Sequence, residues 1–166
     1  IQVETKIHSR PEVWAVPGQI EQIIVNLVIN ARDAMPQGGK LAIAVENCML
    51  EEGSSQIRPG AGSGAYVRFD VADTGSGMDG ATLSRLFEPF FSTKFTGRGL
   101  GMSVVLGIVR GHEGFVRVNS RPGRGTTMEI YLRASPEAEV ARSSDTEMLP
   151  PRVRGYGSTI IATVGV

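Results

Sequence analysis

Phe69-Asp70-Val71-Ala72-Asp73-Thr74-Gly75-Ser76-Gly77-Met78-Asp79-Gly80 is the stretch on which the fold turns. Its first residues have the apolar spacing of a strand, and Asp79 to Leu86 reads as a short helix. Between them Gly75, Gly77 and Gly80 satisfy G-x-G-x-x-G, the fingerprint of a dinucleotide-binding βαβ unit. Such a unit needs a further parallel strand ending in an acid. The chain continues instead with Phe87-Glu88-Pro89-Phe90-Phe91-Ser92-Thr93-Lys94, irregular and holding a proline, so the Rossmann reading fails. The other reading gives the work to Asp73. A carboxylate at a strand end, flanked by glycines that let a flat ring approach, accepts a hydrogen bond from an exocyclic amine such as that of adenine. An ordinary turn aspartate is the competing interpretation.

Working outward, Ile1, Val3 and Ile7, then Val13, Trp14 and Val16, suggest extended segments, and Pro17-Gly18 breaks the chain before a helix. From Gln19 to Met35 the apolar residues Ile20, Ile23, Ile24, Leu27, Ala31 and Ala34 recur at three and four, one buried helical stripe ended by Pro36 and Gly38-Gly39. Leu41, Ile43 and Val45 alternate as a strand, residues 51–63 read as a Gly/Ser loop, and Tyr66, Phe69 and Val71 restart the sheet. Gly101 to Arg110 reads as a helix opened by a glycine turn. Phe115 to Ser120 and Thr126 to Arg133 read as strands joined by Arg121-Pro122-Gly123-Arg124-Gly125.

The chain of 166 residues has room for one core, and its 17 basic and 17 acidic side chains leave no global charge to attract nucleic acid or an anionic membrane surface. Phosphate recognition must therefore be local. No apolar run approaches the roughly 18 residues of a membrane helix. The single Cys48 excludes an internal disulfide and every multi-cysteine metal site, and reads as a small buried hydrophobe in a reducing, cytoplasmic setting. A chain opening on Ile1 without a leader reads as a piece of a longer protein. Beyond Arg133 the composition turns to Ala, Ser, Glu and Pro, so a domain over 1–133 is expected, then a disordered linker over 134–157. The apolar, β-prone end at 158–166 fits a truncated neighbour, an added strand or a chain end.

Two further constellations carry chemistry. Gln22, Asn26, Asn30 and Asp33 share one face of the first helix, beside its apolar stripe. Asparagine competes for backbone hydrogen bonds in a helix, so two at this spacing suggest a use for their amide oxygens, such as one ligand to Mg²⁺, which keeps water and phosphate oxygens in its shell. Exposed polar positions are the plainer alternative. Lys94 and Thr96 lead into Gly97-Arg98-Gly99-Leu100-Gly101-Met102, where glycines bare backbone N–H groups at a helix start and two cations stand by. That is a phosphate cradle by its chemistry, or a glycine-rich surface loop. No Walker A motif exists, since Gly39-Lys40 precedes Leu41.

In this order the elements resemble the ATP-binding catalytic domain of bacterial sensor histidine kinases, in the wider GHKL group of gyrase B subunits, heat-shock chaperones and mismatch-repair ATPases. Gln19 to Met35 looks like the family's asparagine box, Asp73 to Met78 like its adenine-binding box, and Phe87 to Lys94 like its phenylalanine box. Gly97 to Met102 is similar to the lid glycine box, and Gly123-Arg124-Gly125-Thr126-Thr127 to the final glycine and threonine motif. The short lid and Asn30-Ala31-Arg32-Asp33-Ala34-Met35 resemble the nitrogen-regulator-like subgroup.

The resemblance implies the Bergerat ATP-binding fold: a two-layer α/β sandwich, helices on one face of a mixed sheet, ATP held between the first helix and a lid at about 79–101. It implies Mg²⁺ on Asn30, Asn26 near the phosphates, and Asp73 reading the adenine amine, supported through water by Thr126 or Thr127. Further nucleotide-binding positions would be Asp33, Gly75, Gly77, Met78, Gly97, Gly99, Leu100, Gly101 and Met102, with Lys94 and Arg98 stabilising the transferring phosphoryl group. Asn26 stands where ATPase cousins carry a glutamate base. An amide does not take a proton from water as a carboxylate does, so this points to transfer onto a protein side chain rather than hydrolysis. The implied phosphoacceptor is a histidine on a separate dimerisation domain, the implied partner a response regulator or receiver domain; His8 and His112 read as structural or surface residues. A nucleotide-sensing module without transfer is the alternative. Val16 replaces an aspartate common before the proline, Glu113 stands where glycine is usual, and the end from Gly157 to Ala162 resembles the opening of a receiver domain without the acids expected after it.

Overall fold

The spacing of Ile20, Ile23, Leu27 and Ala31 does make a helix, α1, over Pro17–Ala34. Pro17-Gly18, expected to precede it, is its first turn: proline at the first helical position gives up an N–H that has no partner within the helix. The computed structural model describes residues 1–7, 11–51, 62–92, 99–135 and 159–161. Strands β1 (Gln2–Ile7) and β2 (Glu12–Trp14) precede α1. After it come β3 (Lys40–Leu50), β4 (Gly64–Asp73), α2 (Gly80–Arg85), α3 (Gly101–Gly111), β5 (Phe115–Ser120), β6 (Thr126–Arg133) and β7 (Thr159–Ile161). Asp79 starts α2 by accepting the Thr82 N–H at 2.8 Å, a side-chain N-cap.

Five strands form one sheet in the order β1-β3-β4-β6-β5. β1 runs parallel to β3 and the other pairings are antiparallel, so the sheet is mixed, as the resemblance implied. Strand alternation turns Leu41, Val45, Val67, Val71, Met128 and Ile130 to one face, where they meet Ile23, Leu27 and Ala31 of α1 and Met102, Val105 and Val109 of α3 in a single core. Each such large side chain, once buried, contributes about 1.5–3 kcal/mol. The opposite face carries a smaller cluster of Leu50, Tyr66, Phe115 and Tyr131, with Cys48 only partly buried against it. Beside that cluster Arg68 lies 3.0 Å from both Glu46 and Asp70. Helices on one face and a sheet behind them make the two-layer α/β sandwich.

Ordered pairing runs two residues past Arg133. Ala134 donates its N–H to the Ala65 carbonyl at 3.0 Å, and Ser135, fully buried, donates to Glu12 at 2.9 Å. Within the apolar end, β7 pairs antiparallel with β2, Val13 opposite Ile160, in a two-stranded ribbon apart from the main sheet. His8, most of the 51–63 loop, the phosphate-loop residues Lys94, Thr96, Gly97 and Arg98, and the linker over 136–157 lie outside the described residues. No helix among the described residues is long and apolar enough to cross a membrane.

Candidate functional site

A cavity of about 440 Å³ opens between α1, the ends of β4 and β6, and the start of α3, a size typical of small-ligand sites. Leu27, Val71, Leu86 and Met128 give it apolar walls, and its polar groups are few and convergent. Asn26, Asn30 and Asp33 line it from α1, Asp73 from the end of β4, Gly77 and Met78 from the turn after it, Gly99, Leu100, Gly101 and Met102 from the far side, and Thr126 from β6.

Asp73 is held from two sides. Its Oδ1 accepts the Gly75 N–H at 2.8 Å and the Thr126 N–H at 3.3 Å. Oδ2 has no partner among the described residues. Burial holds this carboxyl above the ordinary aspartate range, and the Gly75 and Thr126 N–H groups pull it partly back. A half-buried carboxylate with one oxygen fixed and the other free accepts a hydrogen bond in one direction only.

On α1, Asn26 Oδ1 accepts from Gln22 Nε2 at 3.4 Å, while its Nδ2 is buried without a partner among the described residues. A buried, unmatched amide donor costs about 1–3 kcal/mol, a cost that an anionic oxygen entering the cavity would remove. Gln22 itself stays outside the lining. Asp33 pairs with Arg32 at 2.8 Å. Among the described residues no group of three His, Cys, Asp or Glu could hold a metal. An ion beside Asn30 would complete its shell with substrate phosphates and water, the habit of Mg²⁺, so the residues present fit that ion and not a protein-caged one.

The glycines do different jobs. A Cβ on Gly75 would stand 2.5 Å from the Ala34 carbonyl oxygen, and Ser76 donates to that same oxygen at 3.0 Å, so Gly75 admits the end of α1. Gly75 is not in the lining. Gly77 has φ +63, and a Cβ there would lie 1.9 Å from the Arg121 carbonyl oxygen. Gly101 sits against Asn26, where a Cβ would come to 3.5 Å of Oδ1. Gly99, at φ +65, accepts the Phe90 N–H at 2.9 Å; Phe90 itself has φ 65 and is 78% exposed. The first turn of α3 bears no acidic residue, so its N-terminal partial charge faces the cavity uncompensated.

Of the paired threonines, Thr126 lines the cavity and Thr127 faces the other side of the strand, opposite Ala72 and Asn119. Ser120 was not anticipated. Its Oγ accepts the Met78 N–H at 2.9 Å and lies 2.9 Å from Thr126 Oγ1, fixing two lining segments at once. Nothing local in the sequence marks a serine at a strand end for that role.

Residues 15–136 match the family model described as histidine kinase-, DNA gyrase B-, and HSP90-like ATPase. The chain belongs to this ATPase family. Within it, the chain is 41% identical over 135 residues to the sensor kinase CckA of Brucella abortus, covering 78% of this chain and 14% of that protein. It is 34% identical over 122 residues to the sensor histidine kinase ZraS of Escherichia coli, covering 74% of this chain and 23% of that one. The chain thus spans under a quarter of these relatives. The solved catalytic domain of histidine kinase ThkA superposes with a TM-score of 0.63 at 26% identity, over 82% of this chain and 80% of that one. Full-length ShkA in complex with AMPPNP superposes with a TM-score of 0.62 at 26% identity, over 81% of this chain and 26% of that one. The fold of these ATPase domains is the fold of this chain.

Proposed function

We propose that this chain is the ATP-binding catalytic domain of a two-component sensor histidine kinase, transferring the γ-phosphoryl group of ATP to a histidine on a separate dimerisation domain. The observation that carries the reading is Asp73, which lines the cavity with one oxygen tied by Gly75 and Thr126 and the other without a partner among the described residues, while the unmatched Asn26 amide belongs to a residue of the same lining. Asp73 accepts from the adenine amine, with Thr126 beside it and Met78 and Leu100 against the ring. Asn26 donates Nδ2 to a phosphate oxygen. The start of α3 draws the phosphates through its bare N–H groups. Lys94 and Arg98 balance charge on the transferring group, where positioning and electrostatics supply nearly all the catalysis. Asn30 would hold Mg²⁺, which when bound neutralises phosphate charge.

With an amide at position 26, water lacks a local base, so the phosphoryl group awaits a better nucleophile. His112 is no candidate acceptor, because both its ring nitrogens are engaged within the fold. The phosphoryl group would go to the kinase's own dimerisation domain and onward to a response regulator, in the cytoplasm. Calorimetric titration of the purified chain with ADP and a non-hydrolysable ATP analogue, with and without Mg²⁺, tests the binding half of this reading. Saturable, adenine-specific binding strengthened by Mg²⁺ supports it, and failure to bind either nucleotide overturns it. Labelling of a full-length kinase on histidine tests the transfer half.

A further inference from the structure

Val16 donates its backbone N–H to Nε2 of His112 at 3.3 Å, and Nδ1 of the same ring lies 2.8 Å from the Ile108 carbonyl oxygen. These contacts fix the tautomer. A carbonyl only accepts, so Nδ1 carries the proton; an N–H only donates, so Nε2 is bare. The ring links two helix ends, because His112 is the C-cap of α3 and Val16 the N-cap of α1. Val16 brings no side-chain cap of its own. Its carbonyl accepts the Gln19 and Ile20 N–H groups at 2.9 and 3.3 Å, so one residue starts α1 on one side and is tied to α3 on the other.

The far ends of the same two helices border the cavity. Gly101, the first residue of α3, abuts Asn26 in the middle of α1, so the helices run antiparallel. They are joined at one end through His112 and flank the cavity at the other. Between these points Ile23, Leu27, Val105 and Val109 are buried in one core, and an interior packed this densely passes a shift along rather than absorbing it.

We propose that His112 is a positioning residue for nucleotide: it pins α3 to α1 at the end remote from the cavity and so sets how far the first turn of α3 stands from Asn26 and Asn30. The affinity test of this idea rests on the proposed nucleotide binding. The exchange test does not.

Three substitutions separate this role from a local helix cap. Asparagine at position 112 reaches the Ile108 carbonyl in place of Nδ1 and loses Val16, whereas glutamine is long enough to present its amide oxygen to the Val16 N–H. Val16→Pro removes that N–H and sets the proline Cδ against the His112 ring, so it breaks the link outright, while φ −82 at Val16, near the proline value of about −65, and an exposed side chain let the helix start accept it. His112→Asn and Val16→Pro are expected to weaken binding of a non-hydrolysable ATP analogue about three- to tenfold, the range of one neutral hydrogen bond. His112→Gln should stay within about twofold of the parent chain, and the Val16→Pro, His112→Asn pair should be no worse than either alone. Without nucleotide, the bonded amides 104–107 at the cavity end of α3 should exchange faster in both weakened variants. Unchanged affinity and unchanged exchange at 104–107, or faster exchange confined to 16–20 and 108–112, overturns the proposal. Should the parent chain bind no nucleotide, the functional reading falls while exchange at 104–107 still decides this one. Should His112→Asn fail to fold, Val16→Pro carries the test alone.

Discussion

Asp73 and Thr126 stand opposite one another in the β4–β6 ladder, and the Thr126 N–H donates to the Asp73 carboxylate at 3.3 Å. With Gly75 bonding the same oxygen, the side chain is fixed before any ligand arrives. Preorganisation of this kind lowers the ordering cost of binding.

Asp73→Asn should keep the fold, since the amide oxygen still accepts from Gly75 and Thr126, but it sets an NH₂ group where the free oxygen was. Donor then faces donor. Affinity for ADP is expected to fall by about 1–3 kcal/mol, roughly 5- to 150-fold. Calorimetry alongside a melting curve checks it, and unimpaired binding would sink the assignment of Asp73.

The raised Asp73 value gives a sign as well. In the empty fold a carboxyl raised by burial favours the folded state at low pH, and that contribution is lost as pH rises through the folded value. Nucleotide binding runs the other way, because the ionised oxygen is the stronger acceptor. Affinity for ADP should therefore drop on acidification, starting above the ordinary aspartate value of about 3.9. Phosphate ionisation is common to parent and variant, so the difference between the wild-type and Asp73→Asn profiles isolates the carboxyl. Parallel profiles would assign the dependence elsewhere.

Asn30→Ala should weaken nucleotide binding in Mg²⁺ more than in EDTA. Removing one of few protein ligands to an ion that otherwise holds water and phosphate predicts on the order of a tenfold difference between the two conditions. Titrations in both buffers decide, and equal losses would remove Asn30 from the ion's shell.

Glycine-to-alanine changes should split by site. Gly77→Ala places a Cβ against the Arg121 carbonyl at φ +63 and should destabilise the fold by about 2–4 kcal/mol. Gly18→Ala meets nothing within 4 Å in the first turn of α1 and should stabilise by about 0.4–1 kcal/mol. Urea denaturation of both variants provides the comparison.

The helices and the β5–β6 hairpin were legible because their signals are local: apolar spacing in α1, the glycine turn before α3, the turn Arg121 to Gly125. Their assembly was not. The antiparallel ladder that puts Asp73 beside Thr126 joins residues 53 apart, and neither spacing nor the resemblance gave that pairing. Alternation says that Thr126 and Thr127 face opposite ways but not which one meets the cavity. The contact of His112 with Val16 spans 96 residues, so in sequence the histidine looks like a turn residue. Gly75 seemed to make room for a ring, because the end of α1 that it admits is invisible to its neighbours in the chain.

The Phe90 N–H to Gly99 carbonyl bond closes a neck. The segment that carries Lys94 and Arg98 is thereby anchored at one point, beside Phe91, Ser92 and Leu100 of the cavity wall. Loop closure costs only about 0.6 kcal/mol more for each doubling of length. An insertion between Phe90 and Gly99 would therefore cost the fold little, yet it would carry the two cations off the phosphates. The length of that segment is set by phosphoryl transfer and not by stability.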